Sequence, residues 1–203
     1  MFSGNFVKHS AILQTALVLF ADHGFHDAPM AKLAESANVG VGTIYRYFNN
    51  KNNLIQVLYK SVEEALHQAI IEEVDPSFST ELQFKHLITN LVHYLYAHPT
   101  VFKFLEQYYH SPFGLEKKRE KLFLDDTSTS NNAFGAIFSK HPANSIKALP
   151  ISALHALAFG PVLFLLRDAI GGLIEMSESL VQMVTEGCWD AIKKDDTNDS
   201  DTG

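Results

Sequence analysis

The chain holds a single cysteine, Cys188, among 203 residues. One thiol cannot close an intramolecular disulfide, and no paired Cys or Cys and His spacing offers a zinc site. Cys188 therefore reads as a small buried hydrophobe, and a reducing cytoplasm as the setting. Catalytic signatures are missing too: there is no nucleophile elbow, no phosphate-binding glycine loop and no HExxH. His93, His98 and His110 follow no metal-ligand spacing, and the acidic pairs at 63–64, 72–73 and 125–126 read as solvated charge. No enzyme, metal or cofactor is expected on these grounds. Residues 1–5 lack the charged and apolar regions of a secretory signal, so no export is expected either. No stretch alternates convincingly with period two, which leaves no strand to expect. Positive charge is scarce: 16 Lys and Arg stand against 23 Asp and Glu, a formal net charge of −7.

That charge is unevenly spread. Residues 1–60 carry Lys8, Lys32, Arg46, Lys51 and Lys60 against Asp22, Asp27 and Glu35, a net +2, while the remainder carries −9. A head that meets a polyanion and a body that repels it is compatible with this asymmetry, although +2 is a weak footprint. With 46% hydrophobic residues the chain has ample material for a core.

Apolar residues recur at helical spacing from 7 to 22, with Ile12, Leu13, Ala16, Leu17, Phe20 and Ala21 on one face and Gly24 as the stop. A short second helix is expected after Pro29, placed at its first position, with Met30, Leu33 and Ala34 inward. Residues 36–40 form a tight connection, and 41–48 a third helix with Ile44 and Phe48 inside. A long helix over 51–73 then carries Leu54, Leu58, Val62, Ala65, Leu66, Ala69 and Ile70 until Asp75 and Pro76. Further helical patterns occupy 82–96, 101–109, 151–170 and 175–193, with Gly171 and Gly172 as a left-handed cap between the last two. Residues 115–124 are charged and amphipathic, 125–132 loop-like and 133–138 apolar again. The pattern predicts an all-α chain: a three-helix helix-turn-helix head at 1–50, a helical-bundle body at 51–194 with its first helix as connector, and a disordered acidic tail at 195–203.

Three short helices with a tight turn before the third describe a helix-turn-helix, whose last helix enters the DNA major groove. The exposed types on the third helix suit that groove. Gly42 lets backbone approach closely, Thr43 can touch a base edge or a thymine methyl, and tyrosine hydroxyls with Arg46 and Lys51 can reach phosphate. One of Tyr45 and Tyr47 can equally complete the head's own packing.

The run ILQTALVLFADHGFHDAPMAKLAESANVGVGTIYRYFNNKNNL resembles the head of the tetracycline-repressor (TetR) family of transcriptional regulators. The likeness rests on Phe20 and the Gly24-Phe25 pair, on Leu33-Ala34, and above all on Gly42-Thr43-Ile44-Tyr45, Arg46, Tyr47-Phe48 and Lys51. It covers residues 8 to about 60. The resemblance implies that Val41, Gly42, Thr43 and Tyr45 face bases, that Tyr47 and Lys51 hold phosphate, that Lys32 sits near the backbone, and that Arg46 does either. Three positions depart from the family pattern: Ala28 followed by Pro29 where a threonine is usual, Asn38 where a glycine is usual, and Gly40 where a serine or threonine is usual. Ala28 and Gly40 lack side chains that would cap a helix or touch phosphate.

The last two helices present Leu154, Leu157, Ala158, Val162, Leu165, Leu166 and Ile170, then Leu180, Val181, Val184, Cys188, Trp189 and Ile192. That is more apolar surface than one helix pair buries, so a homodimer through these helices is expected, setting two heads on a near-palindromic operator. The segment 148–166 is uncharged, yet Pro150, His155, Gly160 and Pro161 interrupt it, and burial between helices or subunits is expected rather than a membrane. Residues 84–138 are dense in aromatics. Most are expected in the core; Phe102, Tyr108, Tyr109, Phe134, Phe138 and Phe159 are candidates to line a cavity for a small apolar or aromatic effector, with His93, His155 or Arg167 as polar handles. The function expected is a repressor released from its operator by that effector. A constitutive DNA-binding regulator whose body is a protein-interaction module is the alternative.

Overall fold

The computed structural model describes residues 3–115 and 145–194. The described residues form an all-α fold: α1 (Ser3–His23), α2 (Met30–Ser36), α3 (Val41–Tyr47), α4 (Lys51–Ile71), α5 (Thr80–Ala97), α6 (Pro99–Tyr109), α7 (Ile151–Ile170) and α8 (Glu178–Ile192), with 112–115 helical as well. Of the expected segment at 115–124 only Leu115 is described, and the segments at 125–132 and 133–138, with the tail at 195–203, lie outside the described residues.

Two compact units result, one from the described parts of 1–66 and 98–125, the other from those of 67–97 and 126–203. In the first, α6 runs along α1, and α2 packs on α1 and α3. This grouping takes in α6 because of that packing, whereas the boundary at residue 50 follows the sequence pattern alone. Ile12, Ala16, Phe20, Leu33, Ala34, Ile44, Phe48 and Leu54 are its buried core. Met30, expected inside, is only half-buried.

Helix ends in this unit follow from local chemistry. Gly24, at φ 71°, closes α1 with its amide on the Phe20 carbonyl at 2.9 Å. Only a residue without a Cβ enters that region at little cost. Pro29 stands one position before α2 rather than at its first residue, extended at ψ 142°, and its carbonyl accepts from Leu33. At the start of α4, Asn50 Oδ1 accepts from the Asn53 amide at 2.8 Å, while Asn53 Oδ1 accepts from the Asn49 amide at 3.3 Å. This reciprocal cap is worth about 1 kcal/mol. Helix α4 stops at Ile71, before the expected 73, with Glu73 left-handed at φ 59°.

In the second unit α5, α7 and α8 pack on one another. Phe84, Leu87, Ile88, Leu91, Val92 and Leu95 all turn inward from α5, as their spacing requires. Helix α7 ends in a complete Schellman motif: the Gly172 amide donates to Ala169 and the Leu173 amide to Asp168, with Gly172 at φ 75°. Gly171 itself stays right-handed. Helix α8 begins at Glu178 rather than 175 because Ser177 Oγ caps it, accepting from the Leu180 amide at 3.3 Å. Its far end is tied to the segment before α7: the Lys147 amide donates to Ile192, and Lys147 Nζ to the carbonyl of Ala191. Cys188 is fully buried, and burial pushes its thiol up to about 11 against a small opposing effect of the Val162 backbone.

Most of the apolar residues assigned above to an intersubunit surface are buried within this unit: Leu154, Ala158, Val162, Leu165, Leu166, Val181, Cys188, Trp189 and Ile192. A helix apolar nearly all round gives no periodic signal for which stripe faces inward. Of the expected surface Leu157 stays exposed, and the apolar residues beside it are ones the spacing did not single out, chiefly Leu163 and Phe164 on α7 and Met183 on α8. By length and composition α7 could also cross a membrane; a third of its apolar window is buried in the fold.

Candidate nucleic-acid interface

Helix α3 has seven residues and two anchors. Ile44 is fully buried and Phe48, just past the helix, is nearly so, which fixes the rotation of the helix between them. The opposite side is left to solvent. Val41, Gly42, Tyr45 and Arg46 are exposed, Tyr45 by 48%, and Thr43 is half-buried. No heavy atom lies within 4 Å of where a Gly42 side chain would begin, so a partner's backbone can approach there unobstructed.

The turn before α3 keeps its geometry without the usual glycine. Asn38 takes up φ 51°, its amide donating to Glu35 and the next amide, Val39, to Ala34. Asparagine tolerates the left-handed region better than other residues with a Cβ. Gly40 provides no side-chain cap; its carbonyl accepts from the Thr43 amide at 2.8 Å.

The expected phosphate-holding groups gather at the other end of α3. Tyr47 is half-buried, and the Arg46 guanidinium lies over its ring, 5.5 Å from the centroid. Such a cation and ring pair limits the freedom of both side chains. Lys51 occupies the first turn of α4, half-buried. Burial lowers its pKa, and the nearby Asp27 carboxylate raises it in part. A cation at a helix N-terminus is also opposed by the helix dipole. Both effects disfavour the free ammonium and would be offset by a phosphate. Lys32 is exposed on α2, its Nζ 3.1 Å from His23 Nε2.

Sequence reasoning missed His9, Asp27 and the two capping asparagines. His9, on α1, stacks on Phe48 at 5.1 Å and meets the Tyr47 ring edge-on at 5.9 Å. Its position three residues before the buried Ile12 was the available signal, since that spacing puts it on the inner face of α1.

The candidate ligand residues divide between the two units. Phe102 and Tyr108 are buried in the first. The Tyr108 ring stacks on Tyr59 at 3.8 Å and meets Phe25, Phe104 and Phe113. Tyr109 is two-fifths exposed, yet its hydroxyl sits 3.2 Å from that of the buried Tyr59, which donates to Glu63 at 2.9 Å. Desolvation, with Glu63 beside them, holds both phenols above their ordinary pKa. In the second unit Phe159 is half-buried against the exposed His155, Arg167 is exposed, and His93 pairs with Glu178 at 3.2 Å. Phe134 and Phe138 lie outside the described residues. An open groove of about 410 Å³ on α1 and α2, with Val18, His23 and Ser36 on its walls, includes none of these side chains.

Comparison with known proteins agrees with the geometry of α2 and α3. A transcriptional regulator of the HTH type from Haemophilus influenzae is 26% identical over 178 residues, 87% of this chain and 90% of that one. The fatty acid metabolism regulator protein of Bacillus subtilis is 38% identical over 53 residues, 26% of this chain and 27% of that one. Among solved structures, a TetR family transcription regulator from Marinobacter aquaeolei shares the fold with a TM-score of 0.82 and 21% identity, over 96% of this chain and all of the other. Residues 12–58 match the bacterial regulatory proteins of the tetR family, and residues 54–194 match the tetracyclin repressor-like C-terminal domain. With both segments matched, the chain belongs to the TetR family of DNA-binding transcriptional regulators.

Proposed function

We propose that the protein is a cytoplasmic repressor that binds a near-palindromic operator as a homodimer and leaves it when a small apolar or aromatic effector binds the body, 51–194. The observation that carries the DNA assignment is α3 itself, anchored by Ile44 and Phe48 and turning Val41, Gly42, Tyr45 and Arg46 outward. In this reading Val41, Gly42, Thr43 and Tyr45 read bases, Tyr47, Lys51 and Lys32 hold phosphates, and Arg46 steadies Tyr47. Pairing through α7 and α8 covers Leu157, Leu163, Phe164 and Met183, at a face where Gly160 and Gly187 leave open space. Aromatic density supports an apolar effector, and an acyl chain belongs to that class: one relative is named for fatty acid metabolism. Effector release requires two states of the body that differ in head spacing, with α4 as the connector.

The test is selection of operator DNA from a random-sequence pool with the full-length protein. Tyr47→Phe and Lys51→Ala should weaken binding to all sequences and flatten its salt dependence, whereas Thr43→Ala should change sequence preference. Unchanged affinity in all three variants refutes the assignment. For the effector, fatty acids and aromatic compounds should raise the melting temperature and release the selected DNA. Absence of both stabilisation and release would favour the second reading, a constitutive regulator whose body binds a protein and no ligand. The close packing of Phe102 and Tyr108 is the observation on its side.

A further inference from the structure

We propose that His9 is a proton-linked phosphate-binding residue of the head, so that operator binding takes up a proton and strengthens as pH falls. The inference rests on the DNA-binding reading above. His9 comes from α1, outside the helix-turn-helix, yet its ring lies against both residues that end α3: face to face with Phe48 at 5.1 Å and edge-on to Tyr47 at 5.9 Å. Tyr47 therefore stands between two nitrogen groups, the His9 imidazole and the Arg46 guanidinium, which lies 5.5 Å from the centre of its ring. His9 is only half-buried, so solvent reaches part of the residue.

Imidazole is the side chain whose charge changes between pH 5 and 8. A protonated His9 gains attraction from the Phe48 face it stacks on. Tyr47 is the titratable group in ring contact with it; Arg46 lies on the Tyr47 ring, Lys8 precedes it in α1, and Lys51, beside Asp27, begins α4 three residues past Phe48. A DNA phosphate at Tyr47 favours the charged form of an imidazole beside it, since it attracts a cation within reach. Binding is therefore coupled to protonation, and by linkage lower pH must favour binding.

The experiment measures affinity of the full-length protein for the duplex enriched from the random pool, and for an unselected duplex, at pH 6.0 and 8.0 over a range of salt. His9→Phe keeps a stacking ring and cannot be protonated. Wild type should bind both duplexes several-fold to tenfold more tightly at pH 6.0. Its salt slope should steepen there by about one per head, as one extra phosphate contact requires. His9→Phe should match wild type at pH 8.0 and lose both changes at pH 6.0, while His26→Gln keeps them. His9→Gln, with melting followed by circular dichroism, separates a folding defect from a binding defect. The same pH response in wild type and His9→Phe overturns the proposal and leaves the DNA reading intact; failure of wild type to enrich any duplex overturns that reading instead.

Discussion

The amide of Val39 reaches back to the carbonyl of Ala34 at 2.9 Å, and Asn38 stands left-handed between them. This pair closes α2 with a Schellman motif and aims the chain into α3, so the direction of the reading helix depends on one residue's tolerance of positive φ. Replacement of Asn38 by valine should destabilise the protein by about 1–2 kcal/mol, the cost of a branched residue in that region. Asn38→Gly should stay within about 0.5 kcal/mol, because easier geometry is offset by a freer unfolded chain. Chemical denaturation of the three proteins decides this; a valine variant as stable as wild type would show that the turn carries no conformational demand.

Gly40, one turn position later, is already extended at φ −70° and ψ 145°, the geometry an N-capping serine adopts. A Cβ there would meet only Thr43 Oγ1, at an ordinary 3.8 Å. Gly40→Ser should therefore add a cap and restrict the unfolded chain, gaining about 0.5–1 kcal/mol and raising the melting temperature by about 1–4 °C. It also places a hydroxyl at the start of the reading helix, so operator affinity should rise. A lower melting temperature would contradict the capping argument.

The sequence read well where one side of a helix faces a core and the other faces water. Phe84 to Leu95 on α5 and Ile44 with Phe48 around α3 repeat at the spacing their burial demands. Helix α7 resisted the same reading because Val162 inside and Phe164 outside are equally apolar. Ends were legible where glycine marks them, as at Gly24, and not where a capping side chain acts from a distance, as Ser177 does for α8. In the candidate interface the outward residues of α3 could be listed from their order alone. Helical spacing puts His9 on the inner face of α1 but not against Tyr47, since that contact joins residues 38 positions apart along the chain, and periodicity within one helix does not name a partner on another.

Lys85 on α5 bridges Glu81 on its own helix and Glu186 on α8, with its Nζ 2.6 Å from the latter. Burial alone would lower its pKa, yet the two carboxylates outweigh it and raise the value above 10.5. The folded state thus holds this proton more tightly than the unfolded chain, so the contribution is complete below pH 10.5 and fades as pH climbs through the raised value. Lys85→Met should cost about 1 kcal/mol near neutrality, and the gap from wild type should narrow in alkali and in high salt. Urea melts at pH 7 and in alkali measure it; a gap that widens with pH would contradict the sign of the coupling.

Phe164 is the test of pairing through α7. It is 63% exposed, one turn from Gly160 and beside the exposed Leu163, on a helix that already buries its opposite stripe against α5 and α8. A phenylalanine left in water forgoes about 1.5–3 kcal/mol relative to burial, and a two-fold interface recovers that twice. Phe164→Glu should place two like charges near the axis and yield a protomer of half the wild-type mass by sedimentation equilibrium. Val18→Glu, at a half-exposed valine on α1, should leave the mass unchanged. On the proposed two-half-site operator a protomer would offer only one α3, so its affinity should fall by on the order of 10² or more, through lost effective concentration rather than lost contacts. An unchanged mass for Phe164→Glu would place the partner's surface somewhere other than on α7.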